Sequence, residues 1–169
     1  MESVPPVLRF AHRVSAVVLG SAVAACGGRG PPLMPSATIV ALSLPRSDGT
    51  LVTVPDGAAL SVLAFFSPTC QPCRHSLPAL VAREPEFVRH GAVLRLIAVL
   101  AESESTESAR AALADWGVER PFLVDRFGAS ARDAGVRSVP VDMLLDETGR
   151  VLRRLEAGED ATDLMEGVP

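Results

Sequence analysis

A nearly unbroken apolar stretch, Leu60 to Phe66, runs within three residues into Cys70-Gln71-Pro72-Cys73, and an apolar stripe of Leu77, Leu80 and Val81 follows. An apolar run of this length without polar alternation reads as a strand buried on both faces, which requires a sheet covered by helices on both sides. The stripe has helical spacing, so a helix is predicted from about Pro72, where proline needs no N–H partner in the first turn. Two thiols therefore sit where a buried strand hands over to a helix. Unpaired N–H groups and the dipole at a helix start favour the thiolate of the leading cysteine, Cys70. The thiolate is the attacking species in disulfide exchange, and two thiols at this spacing can close an intramolecular bond. The pattern suits a protein that trades electrons between its own dithiol and a partner's disulfide, with no cofactor beyond a redox-active Cys70–Cys73 disulfide. Two inert core cysteines are the plainer alternative, and Pro72 between them at a helix start argues against it.

The rest of the chain alternates strands with helices. Thr38–Leu44 and Leu51–Val54 read as short strands across the turn signal Asp48-Gly49. Pro78 and Pro85 should kink the helix after Cys73 or end it early. Val93–Leu100 reads as a second buried strand. Ala109, Ala112, Leu113 and Trp116 mark one face of a helix that Gly117 ends. A short strand at Phe122–Val124, a short helix at Gly128–Ala134, a strand pair Val139–Leu145 and Val151–Leu155, and a last helix over Asp160–Met165 follow. Glu102, Glu104 and Glu107 read as the solvated start of a helix. The fold class is α/β, a mixed sheet flanked by helices.

The length, 169 residues, fits one domain plus extensions, and 48% hydrophobic residues suffice for a core. A net charge of −4 with no basic cluster gives no electrostatic reason to expect nucleic-acid binding. Three cysteines do not make a disulfide scaffold. The close spacing of Cys73 and His75 fits no usual structural-zinc pattern, so no metal site is assigned.

Arg9, His12 and Arg13 precede an apolar run, Val14–Ala25, that is too short to span a membrane comfortably and has signal-peptide length. Val23-Ala24-Ala25-Cys26-Gly27 resembles the lipobox of bacterial lipoproteins, which implies cleavage before Cys26 and acylation of it. An ordinary secretory cleavage or an uncleaved anchor are the alternatives. Residues 26–36, rich in Gly and Pro, read as a flexible tether, and the folded domain is expected over 37–169. The expected location is the periplasmic side of a bacterial membrane, held there by lipid.

The segment Phe65-Phe66-Ser67-Pro68-Thr69-Cys70-Gln71-Pro72-Cys73-Arg74 is similar to the strand and active-site turn of the TlpA-like group of thioredoxin-fold thiol–disulfide oxidoreductases, and within it to MauD-like proteins. Gly135-Val136-Arg137-Ser138-Val139-Pro140, with Asp146-Glu147-Thr148-Gly149-Arg150 beyond it, is a second similar piece. The resemblance implies a thioredoxin fold with an N-terminal β-hairpin extension and a cis peptide before Pro140. It also implies Cys70 as the attacking thiol and Cys73 as the resolving thiol. Val139 would offer its backbone to a partner peptide as an added strand. Gln71 and Pro72 would set the redox poise, and Arg74 would favour the thiolate through its charge. The chain departs from the group at Thr69, where tryptophan is common, and at Ser76 and Ala64, where related proteins carry acids associated with proton transfer from the second thiol. The partners implied are protein thiols and disulfides, a membrane reductase as electron donor, and the membrane itself through the lipid; a monomer is expected.

Two other functions compete. Pro68-Thr69-Cys70 faintly resembles a peroxiredoxin-type thiol-peroxidase motif, but its spacing differs and Cys73 would be superfluous. A copper chaperone of the Sco type would need three residues between its cysteines and a downstream histidine, and no histidine follows His90.

Overall fold

The structure is a computed structural model that describes residues 40–166 and Val168. The signal-like segment 1–25, Cys26, the tether 26–36 and the expected domain start at Ala37 lie outside the described residues. A hairpin opens the described chain, β1 (Leu42–Pro45) pairing antiparallel with β2 (Leu51–Val54). Next come β3 (Leu60–Phe66), α1 (Gln71–Ala82), α2 (Glu84–Arg89) and β4 (Ala92–Leu100). Then follow α3 (Thr106–Asp115), β5 (Leu123–Arg126), α4 (Ala129–Asp133), β6 (Val141–Asp146) and β7 (Val151–Glu156). A 3₁₀ helix, Ala161–Met165, comes last. The main sheet has the order β5-β4-β3-β6-β7. Its first three strands run parallel, while β6 and β7 join antiparallel. This is the thioredoxin fold, with the hairpin added before it.

β3 lies at the centre, and Val62 to Phe66 are fully buried. Its side chains divide by alternation. Val62, Ala64 and Phe66 face a core shared with Cys73, Leu77 and Leu80 of α1, Phe87 of α2 and Leu113 of α3. Leu63 and Phe65 face a second core closed by Leu42 and Leu44 of the hairpin and Ala131 of α4. Phe66 meets Trp116 and Phe122 edge-on, with ring centroids 6.1 and 6.0 Å away. Trp116 thus belongs to the core, as its place in the helical stripe suggests.

As expected of the two prolines, the helix after Cys73 ends early: Pro78 lies inside α1, which breaks at Arg83 before a separate α2 whose first turn holds Pro85. Pro85 has no N–H to give the Val81 carbonyl four residues back, and its ring crowds that carbonyl, so the α1 ladder stops just ahead of it. Other boundaries differ from expectation. β6 begins at Val141 rather than Val139, because Pro140 cannot donate to the ladder. The last helix is 3₁₀ rather than α, started by Asp160, whose carboxylate accepts the Thr162 N–H at 2.8 Å. The peptide before Pro140 is cis as expected, and the one before Pro55 is also cis.

Gly149, in the β6–β7 turn, has φ +83°, and a Cβ there would fall 2.4 Å from the Val40 carbonyl oxygen. The Val40 N–H in turn donates to the Gly149 carbonyl at 2.7 Å, fastening the start of the described chain to this turn.

Phe66→Ala removes the ring from the crossing of β3, α3 and β5. Urea denaturation is expected to show a loss of about 3–5 kcal/mol; a loss below about 1 kcal/mol would mean that this face repacks freely.

Candidate active site

The parallel ladder between β3 and β4 ends at the pair Phe66↔Ala98. The chain then leaves the sheet through Ser67-Pro68-Thr69 and starts α1. Cys70 is the N-cap of that helix, in extended backbone, and its sulfur accepts the Cys73 N–H at 3.1 Å. Such an N–H is one of the unpaired donors at a helix start, so it meets the sulfur where negative charge would develop. Cys70 and Cys73 are joined by a disulfide with Cα atoms 5.3 Å apart. Cys70 is half-buried, whereas Cys73 has 0% exposure and packs in the core with Leu77 and Leu80. One sulfur is therefore open to a partner and the other is not.

Val139 and Pro140 come to this place from the entry to β6, the strand directly beside β3. The Val139 carbonyl oxygen lies 3.6 Å from Cys70 Sγ. A disulfide sulfur has no proton to donate, so this distance describes a contact that becomes an S–H···O hydrogen bond only on reduction. Gln71 and Pro72 are exposed in the first turn of α1. Arg74 is exposed and reaches Asp115 at the end of α3, at 3.2 Å, so its charge is partly offset by that carboxylate. Sequence reasoning thus names residues that the fold does bring together around Cys70, with Arg74 pairing sideways.

Glu104 was not among them. Its carboxylate accepts hydrogen bonds from the Ser67 hydroxyl at 3.0 Å, the Thr69 hydroxyl at 2.9 Å and the Ala101 N–H at 2.8 Å. It ties the approach to Cys70 to the loop after β4. The start of α3 is capped instead by Ser105 and Ser108, which exchange side-chain and backbone hydrogen bonds. No local pattern distinguishes Glu104 from Glu102 or Glu107; the hydroxyls that bind it are 35 and 37 residues away.

A cleft of about 610 Å³ runs beside this loop, bounded by Thr69, Glu104, Phe127, Arg132 and Val139 among others. Phe127 stands exposed on its rim with φ +62°, a conformation uncommon for a non-glycine residue. Its N–H donates to the Leu100 carbonyl at 2.8 Å.

Asp142, on β6, was also not singled out. Burial pushes its carboxyl up to about 7, with no other cause acting on it. Among the described residues, no group of three or more His, Cys, Asp or Glu side chains is arranged to hold a metal ion. No helix among them is long and apolar enough to cross a membrane.

Comparison with known proteins agrees with this geometry. The model of the AhpC/TSA family matches residues 35–166. The thioredoxin-like protein YneN of Bacillus subtilis is 31% identical over 117 residues, which cover 69% of this chain and 67% of YneN. The thiol-disulfide oxidoreductase ResA of Bacillus thuringiensis is 24% identical over 104 residues, and the match spans 62% of this chain but only 58% of ResA. The solved structure of a putative thiol:disulfide interchange protein DsbE from Chlorobium tepidum superposes with a TM-score of 0.61 at 26% identity, covering 75% of this chain and 87% of that one.

The raised Asp142 carboxyl makes stability depend on pH. Unfolded, the group titrates near 3.8, and folded near about 7, so the native state holds the extra proton between those values. Its contribution is intact below the lower value and is lost as pH rises through the upper one. Asp142→Asn should therefore raise the melting temperature by a few degrees above about pH 7, with the gain vanishing below about pH 4. Calorimetry at both ends checks this; an equal gain at both would rule out the buried charge as its source.

Proposed function

Because the chain belongs to the AhpC/TSA family and is a thioredoxin-fold thiol–disulfide oxidoreductase, we propose that it exchanges disulfides with partner proteins outside the cytoplasm, from a membrane tether. The single observation that carries the exchange reading is the asymmetry of the pair: an open Cys70 sulfur at a helix N-terminus, disulfide-bonded to a fully buried Cys73.

In this reading the reduced Cys70 attacks a partner disulfide as the thiolate. The bond between the two partner sulfurs breaks, one leaves with the electron pair, and the other remains in a mixed disulfide with Cys70. Cys73 then gives up its proton and attacks Cys70 Sγ. The mixed disulfide breaks, the second partner sulfur leaves as thiolate, and the Cys70–Cys73 bond closes. Two electrons pass from the dithiol to the partner. A membrane reductase would restore the dithiol by the reverse steps. The Val139 backbone and the adjacent cleft would receive the partner segment as an added strand. Gln71 and Pro72 tune the poise of the pair through the start of α1, and Arg74 contributes a charge moderated by Asp115.

The tether rests on the sequence alone: Arg9, His12 and Arg13, the apolar run Val14–Ala25, and Cys26 at its end. Acylation of Cys26 would hold the protein firmly, since each buried CH₂ contributes about 0.8 kcal/mol.

Insulin reduction driven by dithiothreitol should proceed with the wild type and cease with Cys70→Ser. Cys73→Ser should instead accumulate the mixed disulfide, visible on a non-reducing gel. Undiminished turnover by Cys70→Ser would remove the exchange mechanism.

Fractionation of cells expressing the full chain should place the wild type with membranes and Cys26→Ser in the soluble extracytoplasmic fraction. A Cys26→Ser protein that stayed with the membrane would refute lipid anchoring.

A further inference from the structure

The resolving step has an unmet requirement. Cys73 has 0% exposure and an apolar surround, where an unpaired charge is costly to form. The thiol must nevertheless lose a proton before it can attack Cys70. Ala64, in the strand packed beneath α1, offers no acceptor.

The partner strand does. Ala64 is directly opposite Asp142 in the antiparallel ladder between β3 and β6. Residues opposed in this way project from the same face of the sheet. That face is the one on which Cys73 packs, since Ala64, Leu144 and Cys73 belong to one core cluster. Asp142 is also at the reactive end of β6, two residues beyond Pro140 and three beyond the Val139 carbonyl that touches Cys70 Sγ. From this juxtaposition we propose that Asp142 is the proton acceptor for Cys73 when the mixed disulfide is resolved, and the donor when the disulfide is reduced. The inference deepens the exchange reading above and rests on it.

The surroundings leave Asp142 free for this task. Opposite it stand Ala64 on β3 and Leu155 on β7, both apolar. Arg153, the charged residue next along this face of β7, is engaged by Glu166, donating to its carbonyl at 2.8 Å and lying 3.7 Å from its carboxylate. The 3₁₀ helix contributes Leu164 and Met165 to the same core. On α1 the titratable group in that core is Cys73 itself. Burial alone, with no ion pair or hydrogen bond, holds the Asp142 carboxyl up to about 7. An acceptor near that value suits proton exchange with a thiol at neutral pH.

The step balances. Cys73 S–H transfers its proton to an Asp142 carboxylate oxygen, and the resulting thiolate forms the bond to Cys70. The mixed-disulfide bond breaks, and the partner sulfur leaves with the electron pair. In the reverse direction the Asp142 carboxyl returns the proton to Cys73 as the Cys70–Cys73 bond is reduced.

The test follows the mixed disulfide by rapid quenching across a pH series, in wild type and in Asp142→Asn. The wild-type rate of resolution should rise through an inflection near pH 7. The variant should lose that inflection and resolve about 10²-fold more slowly at neutral pH, approaching the wild type in alkali, where solvent hydroxide can take the proton. Wild-type rate and inflection in the variant would overturn the proposal. So would a slowing of equal size at every pH, which is what a merely structural role would give. A second measurement stands apart from turnover: ¹³C titration of the Asp142 carboxyl in the intact wild-type protein. A two-step curve is expected in the dithiol state and a single step in the disulfide state, as for two acids sharing one environment; identical curves would overturn the proposal. Should the wild type form no mixed disulfide at all, the exchange reading falls, while the carboxyl titration still decides whether Asp142 and Cys73 are coupled.

Discussion

Val62 to Phe66 have no contact with water. A strand in that condition has both faces committed, one to the helices α1, α2 and α3, the other to α4 and the opening hairpin. It cannot slide by one residue without exchanging its two cores, because side chains alternate between faces. The point where β3 leaves the sheet is therefore fixed, and so is the start of α1 five residues after Phe66. The chemistry of Cys70 inherits this rigidity. Its sulfur meets the Cys73 N–H and the Val139 carbonyl because strand, helix and the entry to β6 are all anchored to the same buried element.

Around that anchor, two carboxylates restrain the loops near the site. Glu104 gathers two hydroxyls and one backbone N–H from the two loops that flank the dithiol. Asp125, buried at the end of β5, accepts the N–H groups of Ser130 and Ala131 and so fixes the start of α4 under the cleft. Both carboxylates are satisfied. Asp142 differs from them in lying partly buried with burial as the sole influence on its proton. A carboxylate kept in that state costs stability at neutral pH, which is the kind of local compromise that concentrates at functional sites.

Most of the fold was legible because it depends on local pattern. The uninterrupted run of β3, the stripe of α1 and the turn Asp48-Gly49 each lie within one short stretch of chain. The dithiol was legible for the same reason. Boundaries were read less well: the strand expected from Val139 starts only at Val141, after Pro140. Glu104 and Asp142 were opaque for a different reason. One acts through hydroxyls 35 and 37 residues distant. The other gains its place only through the pairing of residue 64 with residue 142. No periodicity carries that information; it exists only once strands have chosen neighbours.

The bond between the Val40 N–H and the Gly149 carbonyl bears on how the molecule presents itself. The β6–β7 turn lies at the edge of the sheet where β3 begins, since Asp146 is paired with Leu60. Cys70 lies beyond the other edge, past Phe66, roughly 20 Å away along a seven-residue strand. Val40 thus enters the body at its rear. A tether of the kind proposed above would reach the described residues at the end of the sheet remote from Cys70, and so would leave the open sulfur clear for a partner.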